Sequence, residues 1–299
     1  MLKKVLIAIG VLVVVVLASA GGFVWTQVSA FDRSMERVYD VPVPAVTRSM
    51  DPAVIARGDH LAHSLAGCAL ADCHGADMGG GRALPMGPLG TVTAPNATLL
   101  AMAYSDGELA RLIRHGVRRD GRSVRFMPVS DFAWLPDDDV LALVSWVRTL
   151  PAIARPNGEF HLGVLGKILD RRDLLALDVA RHLDHGARPP VVAPAPTAEY
   201  GRLVAHLCVG CHGEGLSGGR IPGTPPSVPT PLNLTPDATG LRGWTFEDFQ
   251  RAATTGVSRN GRRLNPFMPI EALSHMNETE MHALWVYLQS LPPRPFGER

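Results

Sequence analysis

Two short stretches contain all four cysteines of this 299-residue chain, and a histidine follows each stretch directly. In the second stretch, Cys208, Cys211 and His212 have the spacing C-x-x-C-H, the attachment signature of a c-type haem. Two thiols at this spacing can both form thioethers to a haem, which holds the following histidine beneath the iron. A zinc site would need a second pair of soft ligands nearby, and a disulfide would leave the histidine unexplained. We therefore expect Cys208 and Cys211 to bind haem covalently and His212 to bind its iron.

The first stretch is an altered copy of the second, because Cys68, Cys73 and His74 read C-x4-C-H, two residues longer. His74 and His212 lie 138 positions apart (212 − 74), and further matches follow downstream at nearly the same offset. Offsets that agree within three residues over a whole domain predict a tandem duplication with one covalently bound haem c in each copy, two in all. The matched pairs are Gly116-Val117 with Gly256-Val257, Gly121-Arg122 with Gly261-Arg262, Trp146 with Tyr287, and Leu150-Pro151 with Leu291-Pro292.

Two matched methionines complete the candidate iron ligands. Met127 and Met268 each lie in Phe-Met-Pro, 53 and 56 residues after their histidines (127 − 74; 268 − 212). A methionine opposite the histidine is common in electron carriers and raises the haem potential. Met78 and Met86 are weaker competitors, since neither has a methionine counterpart in the second copy. If both irons bind histidine and methionine, neither has an open position, so we expect an electron carrier that is not an enzyme and has no small-molecule substrate.

Other polar residues recur in both copies. Arg122 and Arg262 are candidate contacts for haem propionates, although a solvated basic surface is the simpler interpretation. Asn96 and Asn233 lie in turn-like segments and are expected to form hydrogen bonds near the haem. The net charge of +1 gives no overall field that would favour nucleic acid, which we exclude as a partner.

Haem attachment through thioethers implies a compartment outside the bacterial cytoplasm, and the N-terminus predicts how the chain reaches it. Lys3 and Lys4 precede 21 residues, Val5–Trp25, that are almost all apolar and long enough to span a bilayer as a helix. Lysines before the span favour a cytoplasmic N-terminus with the remainder exported. A cleaved signal peptide ending at Ala18-Ser19-Ala20 is the alternative, but the apolar run continues past that site. We expect a single-pass protein of the bacterial inner membrane, with its haem domains in the periplasm.

The domain organisation follows from these features. Helices are expected from Pro52 to Ala66, from Ser105 to His115 and after the acidic run that starts at Asp137. A helix within Leu162–Leu183 is expected to pack between the two copies, and four prolines after it form a semi-rigid linker. The predicted segments are a membrane anchor or signal segment (1–27), a tether (28–51), a first domain (52–152), an interdomain helix and Pro-rich linker (153–196) and a second domain (197–299).

These stretches resemble the dihaem class I cytochromes c, especially the haem domains of membrane-bound bacterial dehydrogenase cytochrome subunits. The resemblance covers about residues 52–152 and 197–293, and the long Cys68–Cys73 spacing departs from it. It implies an all-α fold of two tandem class I cytochrome c domains behind an N-terminal transmembrane helix. The matching stretches are Arg57-Gly58, Gly67-Cys68, Cys73-His74-Gly75, Pro231–Pro236, Gly243–Asp248, Gly256-Val257 and Phe267-Met268-Pro269.

The resemblance also implies a function. Its members take electrons from a dehydrogenase or a quinol oxidoreductase and pass them toward a terminal oxidase, with histidine and methionine on each iron. That ligand set corresponds here to His74 with Met127 and His212 with Met268. The principal alternative is a dihaem enzyme such as a peroxidase, which needs one iron with an open or displaceable position. A redox or gas sensor is a second alternative, but no signalling domain accompanies the haem stretches.

Overall fold

A computed structural model describes residues 1–158, 160–175, 177–222, 224 and 228–299 of the chain. This part of the chain is mostly helical, as the sequence predicts, with one small antiparallel sheet in the strand order β1-β2-β3. The helices are α1 (Leu2–Ser34), α2 (Pro52–His63), α3 (Ala97–Ala103), α4 (Asp106–His115), α5 (Asp137–Val147), α6 (Val164–Asp170), α7 (Ala198–Val204), α8 (His206–His212), α9 (Phe246–Thr255), α10 (Ile270–Ser274) and α11 (Glu278–Ser290). The strands are β1 (Leu84–Pro85), β2 (Gly90–Val92) and β3 (His161–Leu162), and short 3₁₀ turns cover Gly87–Leu89, Val129–Asp131 and Val179–His182.

Helix α1 is the single helix in the described residues that is long and apolar enough to cross a membrane. Its apolar side chains are exposed over the first two thirds of its length, whereas Phe31 near its end is buried. Phe31 packs with Leu162 and Leu177, and Asp32 pairs with Lys167 of α6 at 2.7 Å. The end of α1 is therefore attached to α6. Our expectation that a helix in this region packs between the two copies was wrong, since α6 lies against α1.

Residues 35–50 lie along the first copy rather than forming a free tether. The amide of Tyr39 donates to the carbonyl of Gly121 at 2.8 Å, and the Arg111 guanidinium donates to the carbonyl of Val41 at 3.0 Å. Val41 is itself buried. The expected tether is thus fixed to the domain that it precedes, and together with α6 it holds α1 against that domain.

The first lobe, residues 52–152, is built around the crossing of α2 and α5. Gly58 lies so close to α5 that a Cβ added there would collide with the carbonyl of Ala142 and lie 2.7 Å from the Cβ of Trp146. Helix α4 begins at a capping box in which Ser105 and Glu108 satisfy each other's backbone amides. The helix predicted from Ser105 is confirmed. The helix predicted after the acidic run also forms, but it begins at Asp137 and includes the run, and α2 ends at His63 instead of Ala66.

The second lobe, residues 197–299, repeats this arrangement with α7 crossing α11. Gly201 lies against the carbonyl of Ala283, as Gly58 does against Ala142 in the first lobe. Helix α9 begins at a Thr245–Asp248 capping box and ends at Gly256, whose φ of 68° is in the left-handed region that glycine favours. A single cluster of buried apolar side chains runs through both lobes, so the two lobes share one core.

Candidate haem-binding sites

Helix α8 positions the cysteine pair and histidine of the second lobe. Cys208 lies on its buried side, Cys211 is half-buried one turn later, and His212 is its last residue. Burial and then the charges of Cys211 and Asp131 raise the pKa of Cys208 to about 12. Burial and then the charge of Asp131 also raise the pKa of Cys211. The two thiols lie on one short helical turn, as attachment to two points of one haem edge requires.

The imidazole of His212 is held by a backbone carbonyl. Its Nδ1 lies 2.7 Å from the carbonyl oxygen of Leu232, and the residue is 5% exposed. Burial lowers the pKa of His212, although the hydrogen bond to Leu232 opposes that effect. A neutral imidazole that donates its Nδ1–H to a carbonyl leaves the Nε2 lone pair for a metal, which is the usual arrangement of a metal-binding histidine.

The first lobe contains the same arrangement despite its longer cysteine spacing. His74 Nδ1 lies 2.8 Å from the carbonyl oxygen of Pro95, and burial lowers the pKa of His74 against the opposing effect of that bond. Cys68 and Cys73 lie in consecutive turns rather than on a helix, and the His74 amide donates to the Cys68 carbonyl at 3.0 Å. The two additional residues are therefore accommodated by turns, and His74 keeps the hydrogen bond that His212 has.

A buried asparagine follows each of these carbonyls. Asn233, next to Leu232, accepts hydrogen bonds from the amide and hydroxyl of Thr235 and donates to the carbonyl of Arg294 at 2.8 Å. Asn96, next to Pro95, is equally buried. It accepts from Thr98 and donates to the carbonyls that follow α5, those of Ile153 and Arg155. Each asparagine thus fixes the loop that holds a histidine to the chain beyond the last helix of its lobe.

The two predicted methionine ligands occupy matching places. Met127 and Met268 are half-buried, pack against the shared core and directly precede a short helical segment, the 3₁₀ turn at Val129 and α10 respectively. Met78 is a core residue instead. It is 5% exposed with a φ of 56°, and Leu216, with a φ of 53°, takes the same position in the second lobe. Met86 packs against the cluster at the end of α1.

The predicted propionate contacts have other surroundings. The Arg122 guanidinium pairs with the carboxylate of Glu36, from the segment that follows α1. Arg262 is exposed, and its carbonyl accepts from the amide of Ser258 at 2.9 Å. The structure therefore assigns Arg122 to the attachment of the segment 35–50, and it gives Arg262 no buried partner in the described residues.

One buried carboxylate joins the two lobes. Glu280, at the start of α11, is fully buried and completes a capping box with Asn277. Its carboxylate also accepts from His60 Nε2 at 2.8 Å and from Arg57 Nη1 at 3.1 Å, both in α2 of the first lobe. Burial alone would raise its pKa, but the His60 hydrogen bond and these charges hold the pKa of Glu280 below its usual value.

Comparison with known proteins finds a family match in the second lobe. Residues 198–292 match the cytochrome c family. The chain is 39% identical over 114 residues to a nicotinate dehydrogenase subunit of Pseudomonas putida, which is 35% of this chain and 10% of that protein. It is 36% identical over 85 residues to the gluconate 2-dehydrogenase cytochrome c subunit of Pantoea cypripedii, covering 27% and 19% of the two chains.

A third relative is the cytochrome c subunit of the quinone-dependent alcohol dehydrogenase of Gluconacetobacter polyoxogenes. It is 34% identical over 102 residues, which is 32% of this chain and 22% of that protein. The chain thus spans at most about a fifth of the length of these relatives. The second lobe resembles a class I cytochrome c, whose family implies covalently bound haem c, and the named relatives are cytochrome subunits or other subunits of dehydrogenases.

Proposed function

We propose that this chain is a membrane-anchored, periplasm-facing electron carrier with two covalently bound haem c groups, one in each lobe. The observation that carries the proposal is the repeated histidine arrangement. His74 and His212 each follow a cysteine pair and each place Nδ1 within 2.8 Å of a backbone carbonyl. Each imidazole is thereby oriented with Nε2 available, and a buried asparagine secures the carbonyl in both lobes.

The residues present fit this cofactor. Cys68 with Cys73 and Cys208 with Cys211 would hold the two haems, His74 and His212 would bind the irons on one side, and Met127 and Met268 on the other. A haem iron with histidine and methionine ligands accepts and releases single electrons. The protein residues orient the ligands, exclude water through the shared core and set the potential through the hydrogen bonds around the ligands.

The proposed location and partners rest on two further observations. The exposed apolar side chains of α1 and the lysines before it favour an anchor in the inner membrane with both lobes outside the cytoplasm. The names of the relatives favour a dehydrogenase as the electron donor. A quinol oxidoreductase is the other donor class that we consider, and the acceptor would be a downstream redox protein such as a terminal oxidase.

The experiment that tests the proposal is haem quantification together with EPR on the oxidised, detergent-extracted chain. We expect two haems per chain and two low-spin signals of the histidine–methionine type. One high-spin signal would contradict the carrier function and support a peroxidase-like enzyme with an open iron. One haem per chain would contradict a loaded first site, and Cys73→Ala should then leave the haem content unchanged.

Substitution of Met268 tests the ligand assignment directly. Met268→Ala should retain both haems, lower the potential of the second haem and allow cyanide to bind it, because the thioether no longer fills the sixth position. Met102→Ala is the matched control, since Met102 is 71% exposed and should change neither property. An unchanged potential and unchanged cyanide binding in Met268→Ala would refute the assignment.

A further inference from the structure

The two lobes face each other across an approximate twofold axis. Trp134 of the first lobe stacks on His206 of the second, with ring centroids 5.4 Å apart and planes at 20°. His63 of the first lobe lies against His275 of the second, with centroids 5.6 Å apart. Trp134 and His275 are equivalent positions in the repeat, 141 apart, and so are His63 and His206, 143 apart. The same two surfaces therefore meet twice with their partners exchanged, as in a symmetric dimer interface.

Each of these contacts joins the methionine segment of one lobe to the cysteine segment of the other. Trp134 and His275 each lie seven residues after the methionine of their own lobe, Met127 or Met268. His206 lies two residues before Cys208, at the start of α8, and His63 is the last residue of α2, five residues before Cys68. At each end of the interface, the segment that follows a predicted methionine ligand therefore contacts the chain just before the cysteines of the other lobe.

An acidic side chain lies at one of these contacts. A Cβ added at Gly210, between the cysteines of α8, would lie 3.3 and 3.5 Å from the carboxylate oxygens of Asp131, which follows Met127 by four residues. A carboxylate from the Met127 segment of the first lobe therefore lies beside the cysteine segment of the second lobe.

We infer that this twofold contact, between the Met127 segment and α8 and between the Met268 segment and the end of α2 that leads to Cys68, is the junction through which electrons cross between the two haem sites. The inference rests on the proposed function. Electron tunnelling falls steeply with distance, and a haem bound by Cys208 and Cys211 has its attached edge on the helix that contacts the opposite methionine segment. One electron leaves one haem, which is oxidised, and reduces the other, and no proton or bond is transferred.

The buried ionic contact at Glu280 keeps the junction closed. Arg57 bridges the two lobes, since it pairs with Asp139 of its own lobe at 2.9 Å and with Glu280 of the other at 3.1 Å. Asp139 and Glu280 are themselves equivalent positions, 141 apart in the repeat. The Arg57 guanidinium therefore pairs with two carboxylates that occupy equivalent positions, one in each lobe.

The test is Gly210→Glu in the full-length, haem-loaded protein. The new side chain must displace Asp131, whose oxygens already lie within contact distance of the first added carbon. Gly186→Glu is the matched control. A Cβ added at that exposed glycine meets an Asp184 carboxylate oxygen at 3.4 Å, outside the lobe interface. Both variants should keep two haems and their low-spin spectra.

The readout is EPR power saturation, because two nearby ferric haems accelerate each other's spin relaxation. In the wild-type protein and in Gly186→Glu, the remaining ferric signal should saturate more easily once the other haem is reduced. In Gly210→Glu, the ferric signal should saturate equally easily whether the other haem is oxidised or reduced. A second readout is the redistribution of electrons after one-electron reduction by flavin semiquinone, and its fast phase should be absent from Gly210→Glu. Trp134→Ala, which removes the stack on His206, should weaken both effects in the same direction.

The outcomes separate the junction from the proposed function. Wild-type saturation behaviour and an undiminished fast phase in both Gly210→Glu and Trp134→Ala would overturn the junction while leaving a two-haem carrier intact. If Gly210→Glu loses haem, Trp134→Ala becomes the variant that tests the junction, because it changes no residue between the cysteines. A wild-type protein with a single haem would contradict the proposed function itself.

Discussion

Replacement of Asn233 by alanine should destabilise the second lobe and disturb its iron ligand. The side chain is 2% exposed and makes four hydrogen bonds within 3.0 Å, accepting from the amide and hydroxyl of Thr235 and donating to Thr239 Oγ1 and the carbonyl of Arg294. The neighbouring carbonyl, that of Leu232, is the one that orients His212. A change at Asn233 therefore acts on the haem site through one peptide unit.

The size of the effect follows from which partners are left without a hydrogen bond. In Asn233→Ala, the carbonyl of Arg294 still accepts from Thr235 Oγ1 at 3.2 Å, and Thr239 Oγ1 still donates to Asp237 at 2.7 Å. The buried amide of Thr235 loses the partner that it has in the described residues. One unsatisfied buried donor costs roughly 1–3 kcal/mol, so we expect a loss of about 2 kcal/mol from the second lobe.

The assay is denaturant unfolding of the haem-loaded protein followed by haem absorbance, together with EPR of the native state. Asn233→Ala should lower the unfolding midpoint and shift the g-values of the second haem, because the imidazole of His212 can rotate. Asn96→Ala is the mirror control and should shift the first haem instead. If Asn233→Ala destabilised the protein but left both EPR signals unchanged, the link from Asn233 to the orientation of His212 would be refuted.

Two further substitutions test the packing around the lobes. Glu280→Ala should lower the free energy of unfolding by about 3 kcal/mol, the lower end for breaking a buried ion pair, because Arg57 keeps its bond to Asp139. Thermal unfolding measures this loss. A loss below about 1 kcal/mol would contradict the buried pairing. Burial and the neighbouring charges of His185 and three arginines lower the pKa of His115 to about 4. The folded state therefore binds this proton less tightly than the unfolded state, so stability should fall as pH drops from about 6.5 toward 4. His115→Gln should flatten that part of the pH profile of the unfolding midpoint, and an unchanged slope would contradict the assignment.

Much of each lobe could be predicted from local signals in the chain. The helix predicted from Ser105 to His115 forms with Ser105 as its N-cap, and Glu108 completes a capping box there. The small sheet could not be anticipated, because its strands have only two or three residues and β3 pairs with β2 from about seventy positions away. Strands that short carry no alternation of polar and apolar residues.

The candidate haem sites also have some parts that local sequence signals predict and other parts that they do not. The cysteine pairs and histidines are recognisable because their spacing is local. The carbonyl partners of the histidines lie about twenty residues downstream, and only the turn-like asparagine segments indicated that region. The sequence does not predict the contacts of Glu280, because one glutamate in the first turn of a helix is an ordinary cap. Its partners lie 220 and 223 positions away and are brought to it by the packing of the lobes.

The asymmetry at the centre of the interface bears on how tightly the lobes are joined. Arg57 and Tyr200 are equivalent positions, 143 apart, yet only the first carries a charge. An arginine in both places would set two cations against the two carboxylates of Asp139 and Glu280, whereas this chain has one arginine there, shared between them. Tyr200 instead packs its ring there, and its hydroxyl is buried without a hydrogen bond to any described residue. Arg57, shared between two carboxylates, and the apolar core common to both lobes join the lobes by packing in addition to the Pro-rich linker.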